Sequence, residues 1–135
     1  MEIIESDVVI IGGGPAGCTC ALYTSRSNLK TVILDKNPSV GALAITHQIA
    51  NYPGVPVDIS GEKLLTLMRE QAVQYGTDYR RAQVFGIDAS GECKMVYTPE
   101  GTFRRINHFP FSASIYSKHL CSSIVCAVLH SLFSH

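Results

Sequence analysis

At 135 residues, with 46% hydrophobic and 16% charged side chains, the chain has room for one globular domain and is short for two. Eleven Lys and Arg balance eleven Asp and Glu, so the net charge gives no support to nucleic acid or an anionic membrane surface as a partner. Glu2, Glu5 and Asp7 speak against a basic signal-peptide start, and five cysteines, an odd number, against a disulfide scaffold. The expected compartment is the reduced cytoplasm.

The first element is a strand over Val8 to Ile11, four apolar β-favouring residues, as a parallel strand buried on both faces requires. It runs into Gly12, Gly14 and Gly17, which fit G-x-G-x-x-G. The first glycine allows a tight turn, the second a close approach to a diphosphate, and the third close packing of helix on strand. Pro15 stands where the helix begins, and a diphosphate would sit on the exposed amides of that helix end. The helix is expected over Ala16 to Ser27. A second strand, Thr31 to Leu34, ends on Asp35, placed to accept hydrogen bonds from ribose hydroxyls.

From Lys36 to Ser60 the chain carries Pro38, Gly41, Pro53, Gly54 and Pro56 and no sustained period. It reads as a ligand-covering loop with one short helical turn near Ala44 to Ile49. Ser60 is the expected N-cap of a second helix, with Glu62 in its first turn. Leu64, Leu67, Met68, Ala72 and Tyr75 fall at helical spacing, and Gly76 is the C′ residue. Asp78 to Asp88 then read as a strand, Ala89 to Glu92 as a turn, Lys94 to Thr98 as a strand and Pro99 to Thr102 as a turn. Arg80 and Arg81 open a strand and do not amount to a nucleic-acid patch.

The composition changes near residue 104. Residues 1–104 hold nine cations against eleven acids, a net −2, whereas Arg105 and Lys118 give residues 105–135 a net +2. That last stretch has no acid and no glycine but seven serines and four histidines, with no sustained helical or strand period. It is expected to be an atypical tail of shifted-frame or read-through origin, or else a divergent segment. Its apolar run, Leu120 to Phe133, falls short of the ~20 residues that span a bilayer. Cys121, Cys126, His119 and His130 match no zinc spacing.

Taken together, IIGGGPAG, YTSRSNLK, VILD, IANYPGVP and ISGEKLLTLMREQAVQYG stand in an order that resembles the N-terminal FAD-binding part of thioredoxin-reductase-like flavoproteins. This is the low-molecular-weight class (class II) of pyridine nucleotide-disulphide oxidoreductases. The resemblance covers residues 5–104. It implies an α/β fold: an incomplete Rossmann-like FAD-binding domain, a parallel βαβ core plus an antiparallel β-meander, over residues 1–104, truncated near 104. It further implies that Gly12, Gly14, Pro15, Ala16 and Gly17 form the FAD diphosphate turn and that Asp35 binds the adenosine ribose. Gly41, Ala42 and Leu43 would run beside the flavin, where the family usually has G-G-Q-L, and Asn51 would contact FAD.

In the complete family member, electrons pass from a reduced donor through flavin to a disulfide protein such as thioredoxin, usually in a homodimer. The family's C-x-x-C pair, second dinucleotide fingerprint and A-T-G and G-D segments are not found in these 135 residues. Three readings therefore stay open: the FAD-binding part of an oxidoreductase, a non-catalytic nucleotide-binding or inert product, and an NAD-binding Rossmann domain, which Asp35 would suit equally. Cys18 and Cys20, two apart on one helix, cannot pair and read as packing residues. Cys18, at the helix N-terminus, also carries a reactive-thiol reading. His47 reads as a solvated loop histidine, with an approach to flavin as the alternative.

Overall fold

The computed structural model describes residues 2–39, 41–90 and 93–105. The expected atypical tail, with its cysteines and histidines, lies outside the described residues from 106 onward.

Three parallel strands make the central layer: β2 (Val8–Ile11), β3 (Thr31–Asp35) and β4 (Asp78–Arg81), in the order β2-β3-β4. Ile10 stands beside Ile33, and Ile33 beside Tyr79. Side chains alternate across a strand, and here both faces are covered. Ile10 and Ile33 enter one core with Cys18 and Ala21 of α1 (Pro15–Arg26) and Leu65 and Ala72 of α2 (Gly61–Gln74). Val32 and Leu34 enter a second core with Ala82, Val96 and Phe103. This is why VVII and the VIL of β3 are apolar at every position. The α/β class expected from the sequence is the one observed.

The second core is closed by another sheet, β1-β7-β6-β5, built from β1 (Ile3–Ser6), β5 (Gly86–Asp88), β6 (Met95–Tyr97) and β7 (Thr102–Arg105). The last three form the expected antiparallel meander. Phe103 is among the largest side chains fully removed from solvent and joins the meander to the parallel layer. Phe103→Ala is therefore expected to cost about 3–5 kcal/mol. A urea titration would register this as a lower midpoint with an unchanged slope.

Three expectations are corrected. β1 was not anticipated: Glu5, Ser6 and Asp7 break the apolar pattern ahead of Val8. The strand forms because β7 offers a parallel partner, with Ile4 beside Phe103 and Glu5 opposite Arg104, with which it forms an ion pair. The amides of Asp7 and Val8 both donate to the Lys30 carbonyl, at 2.8 and 3.1 Å, where the chain passes from one sheet to the other. The expected strand over Asp78 to Asp88 is two strands. The Ala82 amide still donates to the Asp35 carbonyl (3.0 Å), whereas that of Phe85 donates to Tyr97 (3.1 Å), so the chain changes sheets between them. Thr102, expected in a turn, is the first residue of β7.

α2 begins and ends as its sequence indicates. The Ser60 hydroxyl accepts from the Lys63 amide at 3.2 Å, and Gly76 takes φ +100°. Leu64, Leu65 and Ala72 are buried, but Leu67 and Tyr75, expected on the apolar face, are exposed. At 3.6 residues per turn Leu67 points about 110° from the centre of that face. Tyr75 lies past the last turn, its ring beneath the Arg26 guanidinium.

Candidate functional site

The C-terminal ends of β2, β3 and β4 meet the N-terminus of α1, the place where open α/β sheets bind ligands. Gly12 leaves β2 with φ +103°, a conformation that disfavours side chains, and its amide donates to the Leu34 carbonyl at 2.8 Å. Gly14 is the extended N-cap of α1 and Pro15 opens the helix. No side chain caps this end and no acid lies in its first turn. The first-turn amides thus have no side-chain acceptor, and the positive end of the helix suits an anion such as a diphosphate. A Cβ at Gly17 would stand 2.1 Å from the Gly12 carbonyl oxygen and 3.3 Å from Ile10 Cγ2. Helix and turn approach as closely as the G-x-G-x-x-G reading requires. Ala16 is exposed beside them.

Asp35 ends β3 next to this turn. Its Oδ2 accepts the Tyr79 hydroxyl at 2.5 Å, and its Oδ1 accepts the Asn37 amide at 3.3 Å. The Arg69 guanidinium of α2 lies 4.7 Å from the centre of the Tyr79 ring. Gly13 fills the remaining space. A Cβ there would be 2.6 Å from Asp35 Oδ2 and 2.7 Å from the Tyr79 hydroxyl. Burial and then the hydrogen bond to Asp35 push the Tyr79 phenol far above its ordinary range, so it remains a donor.

Cys18 belongs to the same neighbourhood but not to its chemistry. Its thiol donates to the Gly13 carbonyl at 3.3 Å, and burial raises it to about 11, against a smaller opposing effect of Arg69. The reactive-thiol reading is thereby corrected. Burial keeps the thiol protonated, and the packing reading holds for a side chain 1% exposed.

The loop carrying Gly41, Ala42, Leu43 and Asn51 is tied down at two points. The helical turn expected near Ala44 to Ile49 forms earlier: Ile45 donates to the Gly41 carbonyl (3.2 Å) and the Thr46 hydroxyl to that of Ala42 (2.8 Å). Its Thr46 carbonyl accepts the amide of Gly61, the first residue of α2, at 2.8 Å. A Cβ on Gly61 would be 1.8 Å from the Leu43 carbonyl oxygen, so this turn rests on the helix start. Farther along, Ile49 bridges to Ile59, and both bury themselves with Leu64. Leu43 packs against both helix-side clusters, Gly41 borders open space, and His47 and Asn51 are exposed.

Gly12 to Gly17 and Asp35 are thus brought together through Gly13, while Gly41 to Leu43 are placed by Gly61. Sequence reasoning missed Gly13, Gly61, Arg69 and Tyr79. One signal was available: glycine in the first turn after an N-cap is a poor helix former, which hints at a steric requirement. Among the described residues no three metal-ligating side chains cluster, and no helix is long and apolar enough to cross a membrane.

Comparison with known proteins bears on the fold and on what the chain is similar to. Residues 10–74 match the family model of the NAD(P)-binding Rossmann-like domain. Over 95 residues the chain is 48% identical to a thioredoxin reductase of Aquifex aeolicus (strain VF5), covering 70% of this chain and 29% of the relative. It is 40% identical to a bifunctional thioredoxin reductase/thioredoxin of Mycobacterium leprae (strain TN), covering 70% of this chain and 21% of the relative. Among solved structures, a thioredoxin reductase from Gloeobacter violaceus superposes with a TM-score of 0.74 at 71% identity, over 75% of this chain and 32% of that one. The chain therefore spans less than a third of the length of these relatives.

Proposed function

We propose, for a chain that is thioredoxin-reductase-like over its N-terminal three quarters, that residues 2–105 bind FAD at the C-terminal edge of the parallel sheet. The observation that carries the reading is the uncapped, acid-free start of α1 beside a glycine turn that Gly12 and Gly17 bring into close contact, with Asp35 at the adjoining strand end.

The residues fit such a group. The amides of the first turn of α1, from Gly14 through Gly17, would hold the diphosphate, and Pro15 leaves them one amide fewer to satisfy. Asp35 would accept the hydroxyls of the adenosine ribose. The turn over Gly41, Ala42 and Leu43, anchored by Gly61, would flank the flavin, with exposed Asn51 as a further contact. The flavin, when bound, supplies electron transfer from a reduced donor to a disulfide, and a thioredoxin-like protein is the proposed acceptor in the whole enzyme. This chain's residues bind, orient and shield; the disulfide chemistry is not assigned to any of them.

The test is the visible spectrum of the purified chain after incubation with FAD and removal of the excess. A retained flavin spectrum is the expected result. A colourless protein would refute binding by this chain. A second reading, NAD in the same crevice, is favoured by the NAD(P)-binding family match and by Asp35, which suits either ribose. In a parallel incubation with NADH, retained dihydronicotinamide fluorescence, with no flavin band after FAD, would select it.

A further inference from the structure

We propose that Tyr79 and Arg69 are positioning residues for ribose recognition, Arg69 clamping the Tyr79 ring while the Tyr79 hydroxyl pins one oxygen of Asp35 and leaves the other for the ligand. The inference rests on the reading of Asp35 as the ribose acceptor and goes beyond it in naming what aims the carboxylate.

Three elements converge on Asp35. Ile33 and Asp35 lie two apart on β3 and therefore share a face, the one covered by α1 and α2. Tyr79 stands beside Ile33 on β4, so its ring lies on that same face and reaches diagonally to Asp35. Arg69 comes from α2, above the face, and places its guanidinium 4.7 Å from the centre of the ring. The turn comes from the other side, and only a glycine at position 13 leaves room for the carboxylate and the phenol together.

The donor and acceptor roles are unambiguous. An ionised carboxylate only accepts, and the phenol is a donor, giving a short charge-assisted bond at 2.5 Å. With Oδ2 held on the inside, the carboxylate loses its rotational freedom before a ligand arrives, which is preorganisation. Oδ1 accepts one long bond, from the Asn37 amide at 3.3 Å, and keeps capacity for a hydroxyl. Arg69 Nε is buried and has no hydrogen-bond partner among the described residues. Keeping an unpartnered cationic donor there is unfavourable unless it is compensated, and the ring face of Tyr79 provides the compensation.

The experiment measures dissociation constants of the full chain for FAD and for an FAD analogue whose adenosine half is 2′,3′-dideoxyadenosine. Tyr79→Phe is expected to weaken FAD about ten-fold and the analogue by less than about two-fold. Arg69→Met is expected to weaken FAD about three-fold, again sparing the analogue. A merely structural role would weaken both ligands alike, and that result, or unchanged FAD affinity in both variants, overturns the proposal. If Tyr79→Phe loses its cooperative thermal transition, Arg69→Met alone decides by the same comparison. Wild-type protein that binds neither ligand, or both equally, defeats the reading of the ribose site itself and this proposal with it. A wild-type preference for FAD that both variants retain defeats only the positioning role.

Discussion

Gly17→Ala is expected to destabilise the fold by about 3 kcal/mol and to abolish FAD retention. In an unobstructed helix the same change would stabilise by roughly 1 kcal/mol, because alanine is the better helix former. The sign reverses here because the new methyl would lie 2.1 Å from the Gly12 carbonyl oxygen. Relief requires helix and turn to separate by about 1 Å, since non-bonded heavy atoms do not approach so closely. The obstacle is backbone, not a side chain that could rotate away, and the Gly12 amide is tied to the Leu34 carbonyl at 2.8 Å. The cost therefore falls at the upper end of the ~1–3 kcal/mol typical of overpacking. The separation also moves the first-turn amides away from the glycine turn, so binding suffers beyond the loss of stability. Chemical denaturation with and without FAD checks both parts. An unchanged or higher midpoint would contradict the close approach.

Gly61→Ala is expected to release the turn over residues 42–46 while leaving the parallel sheet in place. Its Cβ would meet the Leu43 carbonyl oxygen at 1.8 Å, the Leu43 carbonyl carbon at 2.9 Å and the Thr46 carbonyl oxygen at 3.1 Å. All three are backbone atoms of one turn, and the bond from the Gly61 amide to Thr46 would break as they retreat. The expected stability cost is about 2 kcal/mol, and on the proposed FAD reading binding should weaken at least about ten-fold as the turn proposed to flank the flavin opens. Hydrogen exchange separates this from general unfolding. Exchange should accelerate at Gly61 and Thr46, while the amides of β2 and β3 keep their protection. Uniform acceleration would mean that Gly61 supports the whole fold rather than the turn.

The two glycines differ in how visible they are in the sequence. Gly17 belongs to a spaced pattern whose steric logic is local: turn, helix start and strand lie within ten residues of one another. Gly61 has no such pattern, because the atoms that forbid a side chain there belong to a loop brought back by the Ile49–Ile59 bridge. The same distinction separates Asp35 from Tyr79. An acid at the end of a second strand is legible from its position, whereas its hydroxyl donor lies 44 residues away. The helical spacing that placed Leu67 inward failed because the neighbours of α2 cover only a narrow face.

What the sequence determined by itself was a set of features governed by neighbours a few residues away. These are the apolar strand VVII, the buried strand TVILD, the glycine turn between β2 and α1, the caps of α2 at Ser60 and Gly76, and the acid that closes β3. Backbone conformation, capping and alternating burial act over short distances, and their demands are written in residue type. Only the tertiary structure decided that β1 pairs with β7, that the chain changes sheets after β4, and that Gly13, Asp35, Arg69 and Tyr79 form one cluster. Those outcomes depend on which distant surfaces need covering, since an open strand edge or a bare apolar face is resolved by whatever segment the fold brings to it.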